Sequence, residues 1–401
     1  MPNYLIIGNG VAGNSAAESI RRLDTQGNIL IFSKEKHFFY YTPAFPEYLE
    51  GQKQIKDIII HDEKWYAKHK IDLHLDEEIG EIDLSKKTAL STKGMSYVYA
   101  KLLLACGSNS FLPPIPGVST AGVFTLRRLD DAERIRQAAK EARQAVIIGG
   151  GLLGLEAGNA LRKMGLKVAV VEFFPRLLPR QLDITGAQIL YEKMAQMGFQ
   201  FYLGAKTQAI ENSTSGLWVI LERGEKIPTQ LVLISAGVRP EVSLGKKLNL
   251  AINKGIIVDE RLKTSWPDVY AAGDIAEYNG QVYGIWPAAM EQGKIAGLNM
   301  VGESAIYQGT VPANTLKVAG IDLLSAGDID PEEKMEAIIY KDEQAKIYRR
   351  LVIQDNILIG AILLGDIRGA KEIQKAIALK RDVSLFKDKL KDLNFNFAAL
   401  V

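Results

Sequence analysis

Two stretches of the chain share one rhythm of apolar and polar positions. In YLIIGNGVAGNSAAESIRRLDTQGNILIFSKE, residues 4–35, a short β-branched run is followed by glycines, then by apolar residues at helical spacing, then by an aliphatic run that ends in polar residues. Residues 145–172, AVIIGGGLLGLEAGNALRKMGLKVAVVE, repeat that order. Each copy predicts strand, glycine turn, helix and strand, a βαβ unit. Between the copies, 53–110 alternates charged and aliphatic segments and ends in YAKLLLACGSN, which predicts a strand returning to the first sheet. The proline cluster at 111–117 can continue neither helix nor central strand and reads as a connection between domains. A second crossover is expected at 231–240, where LVLISAGVRP ends in Gly237 and Pro240. Further on, 269–278 predicts a strand and glycine turn, and 286–300 a helix. The last region predicts short strands around 315–325, 336–340, 346–353 and 357–364, then a helix at 369–379.

Composition narrows the chemistry. At 401 residues the chain is far beyond a disulfide or zinc miniature, and 49 basic against 47 acidic side chains leave a net charge of +2. Such a balance gives no footprint of a nucleic-acid partner. No uninterrupted apolar stretch approaches the ~20 residues of a membrane-spanning helix. The opening MPNYLIIGNG has neither a basic n-region nor a long apolar one. The expectation is a cytoplasmic protein with no membrane partner. One cysteine, Cys106, and four scattered histidines, His37, His61, His69 and His74, cannot ligate an iron–sulfur cluster or supply a Cys₂His₂ site. No metal site is expected, and redox chemistry would have to come from a bound organic cofactor.

The glycines supply the binding logic. In the first copy Gly8 permits a tight turn, Gly10 lets the backbone approach a pyrophosphate, and Gly13 lets the helix pack close to the strand. The helix that follows aims its N-terminal N–H groups at the phosphates. Gly149, Gly151 and Gly154 take the same roles in the second copy, whose second strand ends in Glu172, a spacing that suits a ribose-binding carboxylate. A carboxylate there repels a 2′-phosphate and favours NADH over NADPH, with Arg176 near enough in sequence to weaken that preference. The first copy ends in Ser33, Lys34 and Glu35, and spacing leaves open whether Ser33 or Glu35 faces a ribose. Two dinucleotide sites without metal or disulfide most simply mean FAD and NAD, placed for hydride transfer. The fold expected is α/β: two Rossmann-like three-layer nucleotide-binding domains and a small α+β C-terminal domain. The FAD domain comprises 1–110 and 240–306, the NAD domain inserted in it 111–239, and the C-terminal domain 307–401.

These motifs, together with LLLACGSNSFLPPIPG, TLRRLDDAERI, ISAGVRP, YAAGDIAE and WPAAMEQGKIAG, occur in an order that resembles the FAD-dependent pyridine nucleotide-disulfide oxidoreductase superfamily. Within it, the chain is similar to the branch of NADH:rubredoxin reductases and the flavin modules of nitrite reductases, from about residue 3 to about 380. The resemblance implies that Gly8, Gly10, Val11, Ala12, Gly13, Lys34, Ile79, Arg127 and Asp274 bind FAD. It also sets Thr42, Pro43, Ala105, Cys106, Gly107 and Gly273 along that cofactor, and Trp286, Ala288 and Ala289 beside the flavin ring. Gly149, Gly151, Leu152, Leu153, Gly154, Glu172, Gly237 and Val238 would surround NADH, with Glu156 near the nicotinamide amide.

The departures from the family are equally informative. Members that reduce disulfides or peroxide carry a redox cysteine after the first βαβ unit, where this chain has FFYYTPAFPEYLEG. Cys106 follows an apolar run and reads as a small core residue, so no catalytic thiol is expected. Thr42 replaces the usual arginine before the proline, and Glu47 aligns with a lysine of some ferredoxin-reductase relatives. The expected activity is therefore transfer of electrons from NADH through FAD to a one-electron carrier such as rubredoxin. The alternatives are a flavin subunit that exchanges electrons with an iron–sulfur partner in a larger iron–sulfur or tungsten complex and reduces NAD, and a redox-controlled assembly protein like apoptosis-inducing factor. Between 371 and 392 basic residues outnumber acidic ones seven to four, a face that suits an acidic carrier or simply solvent. The closing FNFAALV is apolar enough to dock on the body or on a partner.

Overall fold

The computed structural model describes residues 3–318 and 320–401, so Met1, Pro2 and Ala319 lie outside the described residues. The chain forms two compact units. One comprises Met1–Ala44, Lys53–Ser110 and Val238–Thr310; the other comprises Phe45–Gln52, Phe111–Gly237 and Val311–Val401.

The first unit is built on a five-stranded parallel sheet in the order Val269–Ala271, Lys101–Leu104, Asn3–Ile7, Asn28–Phe32, Ile71–His74. Its central strands are aliphatic because both faces are covered: Leu5, Ile6, Leu102, Leu103 and Leu104 are fully buried. The helix Val11–Leu23 follows the first glycine turn and packs on the helix Trp286–Met300. A Cβ built at Gly293 would lie 2.2 Å from the Ala12 carbonyl oxygen, and one at Gly297 would lie 2.5 Å from that of Ala16. Small residues four apart on each helix therefore let the two backbones touch. A three-stranded antiparallel sheet, Ile79–Asp83, Thr88–Ser91 and Ser96–Val98, completes this part of the chain. The hydrophobic pattern of 53–110 did not announce it, because its strands are short and mostly polar.

The second unit repeats the parallel design in the order Gln200–Leu203, Lys167–Glu172, Gln144–Ile148, Leu231–Ile234, Val123–Thr125. Another three-stranded antiparallel sheet, Thr207–Ser213, Gly216–Leu221 and Lys226–Thr229, lies in sequence between the strands Gln200–Leu203 and Leu231–Ile234. The C-terminal part is a five-stranded antiparallel sheet in the order Ala313–Val318, Ile321–Gly327, Ile357–Leu364, Ile347–Gln354, Glu336–Asp342. The single strand expected around 315–325 is thus two strands, turning at Gly320, which has φ 85°. The helix Ala370–Ala378 buries Ile373, Ala376 and Ile377, and the tail buries Phe397 and Leu400 in the same core. The apolar C-terminus therefore docks on its own sheet. Arg349 anchors it from beneath, donating to the carbonyls of Leu390 (2.8 Å) and Asp392 (2.7 Å) with its guanidinium 5.3 Å from the Phe397 ring centroid. Among the described residues, no helix is long and apolar enough to cross a membrane.

The helix contact in the first unit is testable. Gly293→Ala places a methyl against backbone that has no rotamer to give, so it should cost about 1–3 kcal/mol of stability, read as a lower denaturation midpoint. Gly302→Ala, whose Cβ meets nothing within 4 Å, should show only the smaller cost of its positive φ.

Candidate functional sites in the two units

Each parallel sheet ends in a glycine turn whose three glycines have separate physical reasons. In the first, Gly8 (φ 121°) donates to the Phe32 carbonyl at 2.8 Å, and a Cβ on it would lie 2.1 Å from the Ala105 carbonyl oxygen. A Cβ on Gly13 would lie 2.0 Å from the Gly8 oxygen. Gly10 differs: its φ of −86° suits any residue, and a Cβ there meets no protein atom within 4 Å. The second turn follows the same scheme. Gly149 (φ 115°) donates to Val171 at 2.8 Å and faces the Ser235 oxygen at 2.2 Å, Gly154 faces the Gly149 oxygen at 2.3 Å, and Gly151 (φ −79°) opens onto empty space. Two glycines of each turn serve the fold, whereas the middle one is unexplained by protein contacts. A ligand that lies against the backbone explains it, and the exposed N–H groups at the start of each helix suit a pyrophosphate. The residues present therefore fit a dinucleotide in each turn.

The first turn is braced from behind by residues that sequence reasoning missed. Asn14 donates to Asn9 O (3.1 Å), Asn9 Oδ1 (2.9 Å) and Gly10 O (3.0 Å). Its own oxygen accepts from the Tyr66 hydroxyl at 2.7 Å and faces His61 Nδ1 at 3.2 Å. His61 stacks on Trp65 with ring centroids 3.5 Å apart, and its Nε2 lies 3.2 Å from Glu18. The Asn9 amide nitrogen is buried without a protein partner, a donor left for an oxygen-rich ligand. Gly273 (φ 84°) comes to the same helix start: a Cβ there would lie 3.0 Å from that of Ala12 and 3.6 Å from that of Ala289. Its N–H donates to Gln292, and Asp274 accepts from Ser108 at 2.8 Å. Val11 opens the helix, and Ala288 and Ala289 are buried near the start of the helix that Trp286 begins. Trp286 stacks on Phe39 at 5.7 Å and meets the Tyr41 edge at 5.1 Å.

The remaining first-unit candidates are spread around this centre. Ile79 is buried at a strand start, Thr42 and Pro43 form a one-turn 3₁₀ helix, and Lys34 is exposed. Cys106 lies between Ala105 and Gly107 with Sγ 3.6 Å from the Ile7 oxygen, and burial pushes its thiol up to about 12. Arg127 belongs to the second unit, where its backbone N–H donates to Asp131.

Strand register compares the two turns directly. Ile7 pairs with Phe32 and Ile148 with Val171, so Ser33 occupies the position of Glu172. The following turn is the same in both: Glu35 N–H donates to Ser33 Oγ at 3.1 Å, and Phe174 N–H donates to Glu172 Oε1 at 2.7 Å. Glu35 is drawn off to the Tyr40 hydroxyl at 2.6 Å. Glu172 is buried, and its other oxygen accepts from Gly150 N–H at 2.6 Å. Leu152 and Leu153 open the helix Leu152–Lys163, and Gly237 accepts from Phe111 N–H at 2.9 Å, while Val238 starts a strand of the first unit.

Glu156 lies one turn into that helix, and the titration of its carboxyl is displaced upward. Burial and the nearby Glu47 carboxylate push it up to about 7. Glu47 lies on the short helix Phe45–Leu49, which packs on Leu152–Lys163 and is tied to it by a Glu50–Lys163 ion pair of 3.0 Å. The lysine-to-glutamate departure noted in the sequence thus places like charges across one helix contact.

Comparison with known proteins agrees with this geometry. Residues 2–293 match the family model described as pyridine nucleotide-disulphide oxidoreductase, and residues 312–381 match that of the rubredoxin NAD⁺ reductase C-terminal domain. The assimilatory nitrate reductase electron transfer subunit of Bacillus subtilis is 34% identical over 96% of this chain and 50% of its own length. The NADH-rubredoxin oxidoreductase of Clostridium acetobutylicum is 32% identical over 93% of each chain. The ferredoxin reductase of the CYP199A2 system from Rhodopseudomonas palustris superposes with a TM-score of 0.92 at 26% identity, covering 100% of both chains. The chain spans about half the length of the first two curated relatives it matches, with 50% and 48% of their lengths covered. The family and its NADH-rubredoxin oxidoreductase members use FAD and NAD(H). With family-model matches over both units, two glycine turns built alike and a C-terminal sheet to follow, the chain belongs to the pyridine nucleotide-disulphide oxidoreductases.

Proposed function

We propose that the chain is an NADH-dependent flavoprotein that binds FAD at the first glycine turn and NADH at the second, and passes electrons to a one-electron carrier of the rubredoxin kind without a cysteine relay. The observation that carries this reading is the pair of middle glycines, Gly10 and Gly151, each at a helix start and open to space that no protein atom occupies. Bound FAD supplies the redox chemistry, accepting two electrons from reduced nicotinamide and returning them singly. The chain's own residues hold and align. Gly8, Gly10, Val11, Ala12 and Gly13 cradle the FAD pyrophosphate, with Ser33 at the ribose edge by register and Gly273 and Asp274 closing on the same helix start. Gly149, Gly151, Leu152, Leu153 and Gly154 do the same for NADH, with Glu172 at its adenosine end and Glu156 at its nicotinamide end. Alignment of the two rings, rather than acid–base catalysis, is the protein's contribution. The reading without a relay is supported by the single cysteine of the chain, Cys106, whose thiol burial pushes up to about 12.

A second reading is favoured by length alone. Several relatives are about twice as long as this chain, so the same module could serve as the flavin subunit of a larger assembly with an iron–sulfur partner. The native mass of the chain in extract of its own cells distinguishes a free reductase from a subunit.

Anaerobic stopped-flow mixing with NADH should bleach the flavin, and a rubredoxin added next should restore its colour. Cys106→Ala should leave both rates within about twofold, since a change of less than about 0.4 kcal/mol is expected for a group outside the path. Protein that takes up no flavin, or a variant that loses transfer to rubredoxin, contradicts the scheme.

The middle glycines give a sharper pair. Neither Gly10→Ala nor Gly151→Ala should move the denaturation midpoint of the ligand-free chain, because the added methyl touches no protein atom. Gly10→Ala should weaken FAD binding by about tenfold or more, and Gly151→Ala should weaken NADH binding similarly while FAD is retained, each tenfold being about 1.4 kcal/mol.

Glu156 predicts a pH dependence of stability. Its folded value lies above the ordinary carboxylate value of 4.5, so the native state binds the extra proton and stability falls as pH rises from about 4.5 to about 7. Glu156→Gln should remove that slope, which is at most about 1.4 kcal/mol per pH unit for one group. Urea midpoints of wild type and variant at pH 5 and pH 8 provide the comparison: the variant should gain on wild type at the higher pH.

A further inference from the structure

Beyond Glu172 the second unit ties its chain down at both ends of a loop. Residues 173–183 fold back under the glycine turn: Leu177, Leu178 and Leu182 are fully buried, and Leu178 N–H donates to the Gly150 carbonyl at 3.2 Å. At the far end, Asp183 caps the helix Ile184–Gln196 by accepting from Gly186 N–H at 2.8 Å. Its other oxygen accepts from the Tyr348 hydroxyl and lies 3.7 Å from Arg350 Nη1. Tyr348 and Arg350 are two apart on the strand Ile347–Gln354 and so reach the same face of the C-terminal sheet. Arg350 also binds Asp330 at 2.8 Å, and Asp183, Asp330 and Arg350 are all buried. Pro331 follows Asp330, and its carbonyl, with that of Pro179, lies 3.5 Å from Arg176 Nη2. The C-terminal sheet thus holds the loop at Asp183 directly and at Arg176 through the residue after Asp330.

This bears on which nucleotide the second turn accepts. A 2′-phosphate needs a cation beside the adenosine ribose. Arg176, the arginine that follows Glu172 most closely, instead points its guanidinium at two backbone carbonyls and buries Nε. The residues left facing solvent next to Glu172 are Phe173 and Phe174, 64% and 49% exposed, with their rings edge to face at 5.5 Å. Resting on the reading of this turn as the NADH site, we propose that the clamp of Asp183, Asp330, Tyr348 and Arg350 is a positioning device for coenzyme selectivity. It withholds Arg176 from the ribose and leaves Glu172 and the phenylalanine pair to receive a nucleotide that has no 2′-phosphate.

The test is the ratio of kcat/KM for NADH to that for NADPH, measured by flavin reduction in the FAD-loaded enzyme. Wild type should favour NADH, and Arg176→Ala alone should leave the ratio within about twofold. Tyr348→Phe and Arg350→Met should lower the ratio, the latter by about fivefold or more, through a smaller KM for NADPH at unchanged kcat. Adding Arg176→Ala to Arg350→Met should restore the wild-type ratio, whereas Arg180→Ala, which changes the loop's exposed arginine, should not. Circular dichroism verifies folding, and Tyr348→Phe, which deletes only a hydroxyl, decides the matter if Arg350→Met does not fold. A ratio unmoved in the folded clamp variants, or moved as far by Arg176→Ala alone, overturns the proposal while the NADH reading stands. A wild type reduced by neither nucleotide overturns both.

Discussion

Both glycine turns depend on one steric fact: the carbonyl of a neighbouring strand end occupies the place where a side chain would begin. Ala105 does this to Gly8, and Ser235 does it to Gly149. The turn must pass so close because the helix behind it starts at once, and the third glycine of each motif lets that helix lie against the first. With the backbone wedged between strand and helix, the first N–H groups of the helix have no carbonyl within it to bind and are left for a ligand. A site for an anion is then a consequence of packing, present before any ligand arrives, and the helix dipole adds to it.

The two copies share this frame but have diverged at the end of the second strand, where Ser33 and Glu172 occupy the same register position. The same turn follows each second strand, capped by a hydroxyl at Ser33 and by a carboxylate at Glu172. A hydroxyl can donate or accept, whereas a carboxylate only accepts and repels phosphate. On the proposed assignment of nucleotides, selectivity against a phosphorylated ribose is available to the second turn and unavailable at the equivalent position of the first. The divergence is the physical counterpart of assigning different nucleotides to two otherwise equivalent cradles.

What could be read from the residues follows the range of the forces involved. Gly8, Gly13, Gly149 and Gly154 are imposed by contacts within or beside one βαβ unit, so the motif announces itself. The aliphatic strands of the parallel sheets, buried on both faces, were equally visible. The brace on the first turn was not, because His61 and Tyr66 reach Asn14 across 47 and 52 residues of sequence, and none of the three belongs to a pattern. The two small antiparallel sheets were missed for another reason: strands such as Ser96–Val98 and Lys226–Thr229 are too short for alternation to rise above chance. Whether Ser33 or Glu35 stands at the ribose could not be settled by spacing, but strand register relates Ser33 to Glu172. From its place in the chain Arg176 reads as a weak ally of NADPH, whereas its guanidinium lies against the Pro179 carbonyl and that of Pro331, the latter far outside any local reading.

The buried clamp itself is hard to justify as a source of stability. Two aspartates and one arginine, all buried, leave an excess of negative charge, and well-packed apolar side chains of similar volume would commonly serve stability as well or better. Burial and the Asp183 carboxylate raise the pKa of the Tyr348 hydroxyl, which keeps it a donor to that carboxylate. What such a network supplies and an apolar patch does not is direction: each bond has one partner and one geometry, so a slide of the C-terminal strand relative to the loop would leave a charge unpaired in the interior. The loop beneath the second glycine turn is consequently held in register with a sheet more than 150 residues further along the chain. On the proposal that this turn holds NADH, the selectivity of the site is written partly in residues of the C-terminal sheet that lie behind the loop.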